Sequence, residues 1–215
     1  TEIYTLSLHD ALPISFVFHV SGRSGAAPLA PLRDAGWLTA AIHPAMTFTG
    51  NPPGEVARMA GARFAITGSS VDAAVQARRV VGLLGGVAVE IPEERRALYH
   101  AALCHASNHL VTLIADAAQA LERAGVDAPR ALLAPLVQAA LDNSLDRGFD
   151  ALSGPLLRGD VQTIRDHVAA LAAHDPDLVA AYRAMAVATI DRLEHEGARP
   201  DAALRRALDS SGAVP

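Results

Sequence analysis

The chain has 215 residues, is 51% hydrophobic but only 4% aromatic, and carries a formal net charge of −5. With no block of Lys and Arg, nucleic acid and anionic membrane are excluded as expected partners. The single cysteine, Cys104, excludes an intrachain disulfide and points to a reducing, cytoplasmic setting.

No apolar run approaches the roughly 18–20 residues of a membrane span. No basic segment precedes an apolar stretch in the manner of a leader. Residues 2–15, EIYTLSLHDALPIS, resemble the in-frame translation of a sequencing-library adapter. Residues 1–15 are therefore set aside as an artefact standing where the front of the first domain would be.

Phe16 to Val20 is a short β-prone run ended by Ser21-Gly22. A helical stretch with Pro28 near its start runs to Asp34 and stops at Gly36. Trp37 to Ile42 predicts a second strand, ending at His43-Pro44. Thr47 to Gly61, rich in Gly and Pro, reads as a loop. Arg63 to Thr67 predicts a third strand. Val71 to Leu84 predicts a helix capped by Ser69 or Ser70, and Val87 to Ile91 a fourth strand. Strands separated by helical lengths imply βαβ units and a largely parallel sheet.

After Pro92 no β-rich run recurs. Glu93 to Ala124 predicts one long helix, closed by Gly125. A further helix runs from Pro129 to Arg147, with Pro135 expected to kink or split it. Ser153-Gly154-Pro155 is a turn. Asp160 caps a helix to His174, another ends near Gly197, and a short one follows Pro200. The fold class is α/β: a partial Rossmann-type parallel sheet over 16–91, then an all-helical substrate and dimerisation domain over 92–215.

The long helix carries the chemistry. At about 100° per residue, Leu103, Leu110, Leu113, Ile114, Ala117 and Leu121 gather on one side. His100, Cys104, Ser107 and Asn108 gather on roughly the opposite side, and the small residues around both imply burial on most sides. The polar row either satisfies groups in a helical core or faces a substrate. His105 and His109 have zinc-compatible spacing but no third ligand, so no metal is expected. No G-x-S-x-G elbow, Walker loop or G-x-G-x-x-G turn is present.

Five strings carry a family resemblance: HVSGRSG (19–25), AIHPAMTFTG (41–50), LYHAALCHASNHLVTL (98–113), LDNSL (141–145) and LSGPLLRGDVQTI (152–164). Together they resemble Rossmann-like proteins carrying the C-terminal domain of unknown function 2520. That family is similar to the 6-phosphogluconate-dehydrogenase-like reductases, among them ketopantoate and pyrroline-5-carboxylate reductases. The resemblance implies an NAD(P)-dependent oxidoreductase of small polar metabolites and a homodimer formed through the helical domain. A non-catalytic nucleotide- or metabolite-binding protein on the same fold is the alternative.

By the same resemblance Asn108 stands beside the substrate. The lysine that usually accompanies it one turn earlier is replaced by Cys104. His100 and His43 are then the groups to manage a proton, with Thr47 and Ser107 at the substrate. Ser21 and Gly22 would touch the nicotinamide side of NADP or NAD, or form a plain turn. Arg158 would bind a substrate carboxylate, or form a surface ion pair beside Asp160. With the phosphate-binding front of the domain expected to be missing, the chain is expected to bind NAD(P) weakly and to be inactive by itself.

Overall fold

The computed structural model describes residues 15–209. The expectation that residues 1–15 have no part in the fold therefore lies outside the described residues, except at Ser15. Its carbonyl accepts a hydrogen bond from the Leu38 amide at 3.0 Å and so continues the first strand pairing.

Contacts divide the chain into two compact units, one ending at Leu110 and one beginning at Val111. The first holds β1 (Phe16–His19), α1 (Ala30–Asp34), β2 (Leu38–Pro44), α2 (Pro52–Met59), β3 (Arg63–Gly68), α3 (Val71–Leu83), β4 (Val87–Glu90) and the start of α4 (Arg96–Arg123). The sequence boundary after residue 91 marks the end of the strands; the division by contacts falls inside α4. The first turns of that helix are tied to the sheet's loops by Glu93, Arg96 and Tyr99, which explains the difference.

The four strands lie in the order β1-β2-β3-β4. β1 and β2 pair in parallel, as do β3 and β4, but β2 and β3 are antiparallel. The sheet is thus mostly parallel, with one reversal that the sequence pattern does not announce. Its cause is the 45–62 connection, which leaves and re-enters the sheet at the same end: Ala45 N donates to Arg63 O at 2.9 Å.

That connection also corrects the loop expected over 47–61, because it contains α2. Pro52 and Pro53 occupy the first helical positions, where a missing N–H costs nothing and the fixed φ favours the helix. Asn51 caps the helix by accepting from Gly54 N. Prolines that read as breakers here start a helix.

α3 begins at the predicted cap, Ser70, which accepts from Ala73 N at 3.2 Å. Ala73, Ala77 and Val81, at i, i+4 and i+8, are almost fully buried against the sheet. Ala77 and Val81 meet Ala40, Ile42, Phe64 and Ile66 from β2 and β3 in one core. Small residues on the helix let its axis approach the sheet closely, which suits a chain poor in aromatics.

The second unit holds the rest of α4, then α5 (Pro129–Arg147), α6 (Pro155–Arg158), α7 (Val161–His174), α8 (Leu178–His195) and α9 (Ala202–Asp209). Its core joins Ile164 and Val168 of α7, Ala186 and Ile190 of α8, and Leu204, Ala207 and Leu208 of α9. Asp160 caps α7 as expected, accepting from the Thr163 amide at 3.1 Å and the Thr163 hydroxyl at 2.7 Å. At the far end of α7 the buried Asp175 forms an ion pair with Arg123 and accepts from Gln119 Nε2 at 3.3 Å.

Two details of the helices go beyond the sequence reading. α5 is not split at Pro135 but runs through it. Pro135 and Ala131 both lie on an exposed face, so the carbonyl that proline leaves unpaired is open to water. Nor is the middle of α4 buried on most sides: Val111 is 70% and Leu113 39% exposed.

Candidate functional site

β1 ends at His19, and the chain then folds tightly over residues 20–26. His19 organises this turn. Its Nδ1 accepts from Ser21 N at 3.1 Å, so its Nε2 carries the proton donated to Gly25 O at 2.7 Å. Two residues from the N-terminal end of α4 fasten the turn from the other side. Glu93 accepts from Ala26 N at 2.7 Å. Arg96 donates from Nε to Ser24 O at 3.1 Å and from Nη2 to Ser21 O at 2.9 Å.

The turn so held places Gly22 against two imidazoles. A Cβ at Gly22 would lie 2.5 Å from His100 Cδ2 and 2.8 Å from His43 Nε2. Only glycine fits there. The rings of His43 and His100 meet edge to face, 6.1 Å between centroids. His43 is fixed from behind, since its Nδ1 lies 2.9 Å from the Tyr99 hydroxyl. Burial first, then the positive charge of Arg96 and the neighbouring His100, push the His43 pKa below the usual imidazole value. Burial raises that of Tyr99, which stays a phenol.

A cavity of about 530 Å³ opens beside these rings. His43, Met46, Thr47 and Phe48 line one side of it, and His100, Leu103, Cys104, Ser107 and Asn108 the other. The polar row of α4 thus faces a cavity. Leu103 corrects the helical-wheel assignment: at 100° per residue it stands only about 60° around from His100, so the two reach the same space. The Ser107 hydroxyl lies 2.8 Å from both Leu103 O and Asn108 Oδ1, and shares its one proton between them. Cys104 Sγ is 3.8 Å from the nearer nitrogen of His100.

The loop wall has its own support. The Glu55 carboxylate, buried at the start of α2, accepts from Thr49, Gly50 and Asn51 amides at 2.6, 3.0 and 3.2 Å. Those three bonds, with Thr49 foremost, draw its pKa below the ordinary carboxylate range. They also fix the segment that carries Thr47 and Phe48.

Of the residues expected from sequence, His43, Thr47, His100, Ser107 and Asn108 line this cavity, and Gly22 abuts its two histidines. Ser21 contributes through its backbone, with its N–H and C=O committed to His19 and Arg96. Arg158 is not part of this wall. It belongs to the second unit, where it stands exposed beside the Asp160 cap and helps to hold that carboxyl low after the two Thr163 bonds. Tyr99, Arg96, Glu93 and Glu55 were missed. Tyr99, Arg96 and Glu93 point at backbone groups and ring atoms distant in sequence, which only the fold reveals, whereas Glu55 binds amides of the turn just before it.

A second cavity, of about 550 Å³, lies in the same unit among Gly68, Ser69, Ser70, Glu90 and Glu93. It is slightly larger but gathers none of the sequence-predicted residues, so volume alone does not mark the site. Among the described residues no group of three metal-ligating side chains is assembled, and no helix is long and apolar enough to cross a membrane. His105 and His109 touch through their Nδ1 atoms at 2.9 Å without a third ligand.

A mostly parallel four-stranded sheet followed by helices is a Rossmann-like fold. Two solved structures match over 83% of the chain, each with a TM-score of 0.67. One is a candidate NADP oxidoreductase from Bacteroides fragilis, 20% identical. The other is a protein from Thermotoga maritima, 22% identical. The chain spans about two thirds of their length, 66% of the first and 69% of the second. At such identities the likeness establishes the fold. No curated protein matches the chain. The domain of unknown function DUF2520 matches residues 62–189, and the chain belongs to that family.

Proposed function

We propose that the protein is an NAD(P)-dependent oxidoreductase of a small polar metabolite. The cavity between the 43–48 loop and α4 is where a nicotinamide ring and the substrate meet. One observation carries this reading: His43 and His100 converge on Gly22 while Ser107 and Asn108 line the same cavity.

The described wall fits the phosphate-free, nicotinamide end of such a cofactor. It presents imidazole, hydroxyl and amide groups beside Ala45, Met46, Phe48 and Leu103, with no Lys or Arg among them. It does not fit a diphosphate, which calls for a glycine-rich turn or cations. When bound, nicotinamide supplies or takes up a hydride. The chain's own residues do the rest. Asn108 orients the reacting oxygen by hydrogen bonding. His43, neutral near pH 7, acts through Nε2 as donor or base. His100, one turn before Cys104, is the second group able to move a proton. The single cysteine agrees with a reducing, cytoplasmic setting.

The second reading, a binding protein without turnover, draws on Cys104. One turn before Asn108 it brings a thiol where a cation would serve hydride chemistry. The two separate in one assay. NADPH oxidation is followed with a panel of aldehydes, 2-oxo acids and imines, using a longer family member with the same residues. Turnover that falls at least about 100-fold in Asn108→Ala supports the oxidoreductase. Saturable nucleotide binding with no turnover on any class supports the binding protein.

A further inference from the structure

Arg96 is among the largest fully buried side chains of the described residues, 1% exposed. It makes no ion pair within 4 Å among them, although the more distant Glu93 carboxylate favours its charge. A buried cation without a close counter-ion is costly, so its surroundings must use it. Three features do so. Its Nε and Nη2 clasp the Ser24 and Ser21 carbonyls. Its Cζ lies 5.5 Å from the centroid of the Tyr99 ring, within cation–π range. The Tyr99 hydroxyl reaches His43 Nδ1. Guanidinium, phenol and imidazole thus form one file running from α4 to the end of β2.

We propose that Arg96 and Tyr99 are positioning residues that hold His43 as a neutral ring in one fixed tautomer, with Nε2 turned to Gly22 and the cavity. This rests on the reading that His43 serves the reaction there. Tyr99 ties the state of Nε2 to its own role at Nδ1: when the phenol donates there, the ring proton sits on Nε2, and when it accepts, Nε2 is left as the base. Arg96 acts in two ways. It presses the 21–24 turn, and Gly22 with it, onto the two imidazoles. It also sets a permanent positive charge behind His43, which opposes a second charge on the ring. The titratable or charged groups acting on His43 are Tyr99, Arg96 and His100, all from α4; its cross-strand partner on β3 is Ala65. The depressed His43 value agrees with this arrangement.

The test is ¹³C and ¹⁵N NMR of the histidine rings in the whole chain, with His43 assigned by His43→Gln. In the parent, His43 should titrate below the usual imidazole value and show the nitrogen shifts of one tautomer. Arg96→Met should raise its midpoint. Arg96→Lys, which keeps the charge and loses the fork, should leave the midpoint low while the Ser21 and Ser24 amides shift. Tyr99→Phe keeps the ring under Arg96 and should give averaged tautomer shifts. An unchanged midpoint in a folded Arg96→Met would overturn the proposal. If that variant does not fold, Tyr99→Phe decides: a persisting single tautomer overturns it. Turnover is a separate readout. Positioning as expected with no hydride transfer on any substrate sinks the oxidoreductase alone. Turnover with unaltered ring shifts in the variants sinks the positioning alone.

Discussion

The hydroxyl of Tyr99 and the Nδ1 of His43 lie 2.9 Å apart, joining the first turn of α4 to the last residues of β2. The rings stand nearly perpendicular, at 85°. That one bond links the two elements that line the candidate site and leaves Nε2 of His43 as the nitrogen facing Gly22.

The first prediction concerns Gly22. A methyl group there would sit 2.8 Å from His43 Nε2 and 2.5 Å from His100 Cδ2. Gly22→Ala should cost about 1–3 kcal/mol of stability by overpacking. It should also shift both histidine ring resonances. Thermal unfolding and NMR check the two parts, and a neutral substitution would mean the rings are not held as described.

The second is pH dependence. A histidine whose pKa is lowered by folding binds its proton more readily when unfolded. His43 therefore stabilises the fold above its ordinary value of about 6.5, and that contribution is lost as pH falls below it toward the folded value. The melting temperature should decline over that window, and less steeply in His43→Gln. Equal slopes in the two proteins would contradict the lowered value.

Glu55 gives the third. Its carboxyl is lowered by the Thr49, Asn51 and Gly50 amides, so its contribution holds above the ordinary carboxylate range and is lost as pH falls through the folded value. Glu55→Gln should remove that acid-side dependence. Amide exchange at Thr49 to Asn51 should rise, and the cavity wall at Thr47 and Phe48 should loosen with it. Unchanged exchange would show that the loop is held by something else.

The fourth concerns the second unit. Ile190, 1% exposed, sits in the core of α7, α8 and α9. Ile190→Ala should cost about 2–5 kcal/mol. On α5, Leu132, Leu136, Leu141 and Leu145 are 50, 63, 41 and 79% exposed. Leu132 and Leu136 share one side of the helix and Leu141 and Leu145 the opposite one, so α5 exposes apolar residues on two faces. We propose a homodimer through this helix, with Leu136→Glu and Leu145→Glu together giving a monomer in light scattering. A parent chain that is already monomeric at about 10 μM would contradict it.

Much of this was legible in the amino-acid string. Strand and helix order follows from hydrophobic period and from caps such as Ser70 and Asp160, whose action is local. The reversal between β2 and β3 was not legible, because it depends on where the 45–62 connection returns. α2 was hidden because Pro52 and Pro53 serve at a helix start as readily as in a loop. The histidine and asparagine row could be found because i, i+4, i+7 and i+8 is a local pattern. Arg96 could not, because its partners lie more than 70 residues away. Leu103 was misassigned by treating faces about 100° apart as opposed.

The central claim is that this cavity receives the reacting end of a nicotinamide cofactor. Titration of the chain with reduced nicotinamide mononucleotide, to millimolar concentration and followed on the histidine rings, tests it most directly. This ligand lacks the dinucleotide diphosphate, for which the wall has no cation. The account predicts saturable shifts at His43 and His100, weakened in Gly22→Ala, with His167, His174 and His195 unmoved. Shifts confined to those three, or no shift at His43 and His100, would contradict it.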